Sequence, residues 1–97
     1  MQKISKDAMD KFYRAILSLE NEQECAAFFN DICTIQELEA LTQRLEVAHR
    51  LVDGESYVDI NKTIGASTAT ISRVSKYLNY GANGYKTVIE RLAKDGI

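Results

Sequence analysis

The sequence predicts an all-α fold, and three observations carry that expectation. The 97-residue chain has no proline and only five glycines, at positions 54, 65, 81, 84 and 96, so its first 53 residues contain neither helix breaker. Apolar residues recur every three or four positions through most of the chain, which is the period of one helix face. The alternation of a half-buried strand is absent, as are internal repeats and low-complexity segments. This length suits one domain. A monomer so small hides only about two-thirds of the surface its unfolded chain exposes, so burial against a second copy is expected.

The first helix is expected over Ser5 to Glu20, with Ile4, Ala8, Phe12, Ile16 and Leu19 along one stripe. Asn21 followed by Glu24 reads as an N-cap with an acid at the third helical position. It opens a second helix to Ile32 that would bury Cys25, Phe28, Phe29 and Ile32. Thr34-Ile35-Gln36-Glu37 has capping-box spacing, in which hydroxyl and carboxylate each satisfy the other residue's amide. The third helix therefore starts there. Ile35, Leu38, Leu41, Leu45, Ala48 and Val52, with Val47 and Leu51 beside them, form a wide apolar face that stops at Asp53-Gly54.

From Ser56 the chain reads SYVDINKTIGASTATISRVSKYL. Ser56 with Asp59 caps a short helix whose inward positions are Tyr57, Ile60 and Ile64. Gly65 then supplies the left-handed turn, and Ala66 is small enough to tuck beneath it. Ser67 or Thr68 caps a following helix to about Asn79, with Ile71, Val74 and Leu78 facing inward. The spacing is that of a helix-turn-helix. One departure is Asn61, at a position where a small residue usually lets the two helices approach. A last helix is expected from Tyr85, with Val88, Ile89 and Leu92 on one face, after the loop Gly81-Ala82-Asn83-Gly84. The expected organisation is thus a helical dimer core over 1–53, a helix-turn-helix over 56–79 and a final helix over 85–95.

Charge divides along the same line. The net charge of −2 comes from 12 basic and 14 acidic residues, but the first 53 residues alone carry six basic and ten acidic side chains. Residues 60–89 contain no acid and four cations, Lys62, Arg73, Lys76 and Lys86. A basic local surface on a mildly acidic chain fits a nucleic-acid contact confined to one segment. Thr68, Ala69 and Thr70 at the start of the second helix are small enough to meet base edges, thymine methyls or bridging waters. Lys62, Ser72, Lys76 and Lys86 suit phosphates, and Arg73 suits a phosphate or support of the head.

Three stretches carry a resemblance to a known family: T-x-x-E-x-E-A-L-x-x-R from Thr34 to Arg44, L-x-x-G-E from Leu51 to Glu55, and I-G-A-x-x-A-T-I-S-R from Ile64 to Arg73. In these residues the sequence resembles the tryptophan operon repressor family, with one apparent deletion near Ser56. The resemblance implies an intertwined homodimer of six-helix subunits that binds double-stranded DNA through two reading heads. It also implies an effector pocket in which tryptophan lies between two arginines beside a threonine. The matching residues are Arg44, Arg73 and Thr34. Tryptophan-responsive members have a glycine after the second arginine and a small serine further along the helix, where this chain has Val74 and Tyr77. Both add bulk where the ligand would lie, so tryptophan is not expected as effector and no cofactor is expected, while another small effector stays open.

Enzymatic chemistry is not expected, because the sequence holds no nucleophile elbow, phosphate loop or metal-ligand cluster. His49 stands alone and reads as a solvated or hydrogen-bonded side chain. Cys25 and Cys33 read as small core thiols in a reducing, cytoplasmic setting, without metal or membrane. The expected function is a dimeric transcriptional regulator on a palindromic operator. The alternative is a helical module whose helix-turn-helix docks a protein.

Overall fold

The computed structural model describes residues 3–97. Six helices follow one another: α1 (Lys6–Leu17), α2 (Glu22–Ile32), α3 (Ile35–Val52), α4 (Tyr57–Ile64), α5 (Thr68–Tyr80) and α6 (Gly84–Lys94). No strand occurs among the described residues.

Local hydrogen bonds set most helix ends where their residue types suggest. Ser5 caps α1 by accepting the Ala8 amide at 3.1 Å. The helix ends at Leu17, short of Glu20, because Ser18 turns its hydroxyl back on the Ala15 carbonyl at 2.7 Å. Asn21 accepts the Glu24 amide at 2.9 Å, while Glu24 reaches one residue further back than in the simple box and accepts the Glu20 amide at 2.9 Å. At α3 the box is reciprocal: Thr34 N–H donates to Glu37 Oε1 at 2.8 Å and Glu37 N–H to Thr34 Oγ1 at 3.1 Å. The far end of α3 closes with Gly54 at φ +86°, Gly54 N–H donating to the Leu51 carbonyl and Glu55 N–H to that of Arg50. This paired arrangement is a Schellman cap.

The chain separates into two compact units divided between Leu38 and Glu39. The division falls inside α3, not at the Gly54 turn where the charge changes. Val47 and Ala48, in the second half of α3, are fully buried with Ile60, Ala66, Ile71, Val74 and Ile89. That cluster draws this half of the helix into the C-terminal unit. Leu45, Leu51, Ile64 and Tyr85 pack around it half-buried.

The N-terminal unit contrasts sharply, since neither α1 nor α2 contains a buried residue. Within it, Phe12 and Phe28 lie with ring centroids 6.4 Å apart, and Phe28 meets Phe29 edge-on at 5.4 Å. Several expected core positions are consequently corrected. Cys25 is exposed and Cys33 half-buried, so neither is a core thiol within one chain. Ile32, Ile35, Leu41 and Val52 are exposed too. So are Tyr57 and Val88, because the short helices α4 and α6 present only Ile60 and Ile89 fully to the core. Periodicity names a face correctly but overstates how much of it becomes buried.

Candidate nucleic-acid interface

The site is built on α4, the turn and α5. Ser56 caps α4 by accepting the Asp59 amide at 3.1 Å, and Gly65 ends it at φ +80°. Ala66, 1% exposed, sits under the turn as expected. Asn61 uses its position differently from a small residue: its side-chain amide donates to the Ala66 carbonyl at 2.7 Å and clips α4 to the start of α5. Only the folded turn reveals this bond. Ser67 then caps α5, accepting the Thr70 amide at 3.1 Å.

Burial orients α5. Ile71, Val74 and Leu78 face the core, which leaves the opposite side of the helix to solvent. Thr68, Ala69, Ser72, Arg73 and Lys76 are exposed there, and Lys62 is exposed on α4. Thr70 is half-buried, on the shoulder between the two faces. Lys86 is exposed on α6. The surface therefore combines small and hydroxyl side chains with cations in a segment without acids.

Beside this face lies a cavity of about 390 Å³ lined by Arg44, Ala69, Thr70, Arg73, Val74, Tyr77 and Tyr85. Four of the five expected pocket residues thus come together: Arg44, Arg73, Val74 and Tyr77. Val74 is at the same time a core side chain, 2% exposed. The fifth, Thr34, belongs to the other unit, where it caps α3. Tyr85 was not anticipated; its only signal in the sequence is an aromatic ring on the Val88/Leu92 stripe of α6. A second, more apolar cavity of about 570 Å³ shares Tyr77 and Tyr85 and adds Leu45, Ala82, Gly84 and Val88.

Glu55 of the L-x-x-G-E stretch has a structural partner. Arg50 Nε lies 3.2 Å from Glu46 Oε1, and Arg50 Nη1 lies 3.2 Å from Glu55 Oε1. The Glu46 hydrogen bond, followed by the charge of Glu55, raises the Arg50 pKa further above its ordinary value. The network ties the last turn of α3 to the segment entering α4. His49 lies beside it, half-buried. Among the described residues there is no cluster of three metal-ligating side chains, and no helix is long and apolar enough to cross a membrane.

The sequence profile of the Trp repressor protein family matches residues 7–93. The chain belongs to the Trp repressor protein family. An uncharacterized Bacillus subtilis (strain 168) protein, YerC, is 46% identical over 92 residues, which cover 95% of this chain and 88% of that protein. Among solved structures, a TrpR like protein from Eubacterium eligens ATCC 27750 shares 50% identity, with TM-score 0.87 and coverage of 91% of each chain. A Staphylococcus aureus protein provisionally described as a Trp repressor shares 44% identity, with TM-score 0.88 and coverage of 92% of this chain and 89% of that one. Membership in this Trp repressor-like family places the chain among regulators and not among enzymes.

Proposed function

We propose that this protein is a homodimeric, sequence-specific DNA-binding regulator that recognises an approximately palindromic operator. The observation that carries this is the exposed face of α5, where Thr68, Ala69, Ser72, Arg73 and Lys76 stand together opposite the buried Ile71, Val74 and Leu78. Helix-turn-helix dimers, the Trp repressor among them, place such a helix in the major groove with half-sites about 34 Å apart. Thr68, Ala69 and Thr70 read bases. Lys62, Ser72, Lys76 and Lys86 hold phosphates, with Arg73 at a phosphate or supporting the head. The second copy accounts for the uncovered apolar side chains of α1 and α2.

Tryptophan is not the effector in this proposal, because Val74 and Tyr77 bring bulk to the cavity beside Arg44 and Arg73. Micromolar binding of tryptophan in a calorimetric titration would contradict this. Selection of genomic fragments at moderate salt tests the main claim: a recurring palindrome supports it. A stable dimer that enriches no sequence points instead to a protein-docking module. Lys76→Ala is expected to weaken all bound sequences alike and to lower the slope of log affinity against log salt by about one. An unchanged slope would remove Lys76 from the phosphate contacts.

A further inference from the structure

The last turn of α5 puts its side chains to different uses. Leu78 is buried in the core, and Asn79 gives its side-chain amide to the Ser75 carbonyl at 2.9 Å. Tyr77 lines the cavity beside Arg44 and Arg73. Tyr80 does none of these. It is 87% exposed, more than any other large apolar or aromatic side chain among the described residues, and its hydroxyl has no partner there. At about 100° per residue, Ala69, Lys76 and Tyr80 fall within about 40° of one another, on the side of α5 opposite Ile71, Val74 and Leu78. Tyr80 thus continues the exposed stripe of Ala69, Arg73 and Lys76 by one more turn. Gly81 then ends the helix where a Cβ would clash with the Tyr77 carbonyl, so glycine is what lets the chain leave immediately after Tyr80.

We infer that Tyr80 is a further DNA-contact residue, whose hydroxyl donates to a backbone phosphate at the rim of the major groove. The inference rests on the DNA-binding proposal above. Length decides which part of the duplex the side chain meets. With Thr68, Ala69 and Thr70 at base edges, Tyr80 lies ten to twelve residues further on, about 15–18 Å along the helix axis, which exceeds the ~12 Å width of the groove. The end of α5 therefore reaches the phosphate wall. Charge favours the same partner, because Lys76 is one turn away and residues 60–89 contain no acid to repel a phosphate. A phosphate oxygen can only accept, so the partner itself fixes the direction of the bond. A phenol makes that bond without a charge. Tyr80 therefore adds affinity without counterion release, which separates its contribution from that of Lys76.

The test compares the full chain with its Tyr80→Phe variant on the operator recovered by selection of genomic fragments, on single-base variants of that operator, and across a salt series. Tyr80→Phe removes only the hydroxyl of a solvent-exposed ring, and circular dichroism and sedimentation check that fold and assembly are unchanged. The variant is expected to bind every operator variant about fivefold more weakly. The slope of log affinity against log salt is expected to stay at the wild-type value, in contrast to the drop of about one for Lys76→Ala. Methylphosphonates placed at one operator phosphate at a time then locate the contact: at one phosphate per half-site the gap between wild type and Tyr80→Phe is expected to close. The inference falls if Tyr80→Phe binds as tightly as the wild type, or if no phosphate closes the gap. It falls also if the variant alters the preference at a single base position, which would place Tyr80 inside the groove, or if it shifts the assembly state, which would place it between subunits. A wild type that enriches no sequence overturns the DNA-binding proposal itself, and this inference with it.

Discussion

In the N-terminal unit, α1 and α2 line up Phe12, Ile16, Phe28 and Phe29, yet no residue of either helix is buried. In the unit that begins at Glu39, the helices are no more apolar, but Val47, Ala48, Ile60 and Ile71 are fully excluded from solvent. The difference lies in geometry. Turns at Gly54 and Gly65 fold α3, α4 and α5 back on one another, so that their stripes converge on one point. The stripes of α1 and α2 have no comparable closure within one chain. The same helical pattern in a sequence can therefore encode a closed core or a face that the chain leaves exposed.

This contrast can be broken most directly in the core. Ile60→Ala removes a fully buried side chain and is expected to cost about 4 kcal/mol, read by chemical denaturation. The loss should be nearly independent of protein concentration, apart from any coupling to assembly. A cost below about 1 kcal/mol would mean that the C-terminal cluster is not the stability core.

Phe28→Ala tests the other unit. If a second copy covers this face, the truncation is expected to weaken the dimer by roughly 100-fold, or about 3 kcal/mol. Sedimentation across a concentration series reads the shift. An assembly state identical to that of the wild type at every concentration would show that nothing depends on this face.

The smallest expected effect sharpens what makes the core converge. Gly65 adopts φ +80°, and a Cβ placed there meets nothing within 4 Å. Gly65→Ala should thus cost only the conformational penalty of the left-handed region, roughly 1–2 kcal/mol. A loss well beyond that would show that the turn is tuned by packing as well as by its dihedral angle.

The features legible in the sequence are those settled within a few residues. Asn21 with Glu24, Thr34 with Glu37 and Ser56 with Asp59 are caps in the folded chain because the bonds span only three positions, and of Ser67 and Thr68, both open in the sequence, Ser67 is the cap of α5. Gly65 and Ala66 were readable for the same reason, one by its dihedral freedom and the other by its size. Arg44, Arg73, Val74 and Tyr77 became readable as neighbours only through the resemblance. Periodicity alone does not bring α3 and α5 to one cavity.

By itself, then, the sequence determined six helices, the turn that pairs α4 with α5, and the segregation of charge that leaves residues 60–89 without an acid. These follow from local backbone bonding and from charge, which are properties of short stretches. Tertiary structure decided which apolar faces find cover inside one chain, that Tyr85 joins the arginine cavity, and that Asn61 crosses the turn to the Ala66 carbonyl. Those outcomes depend on where separate helices converge in space, and no periodicity along the chain contains that information.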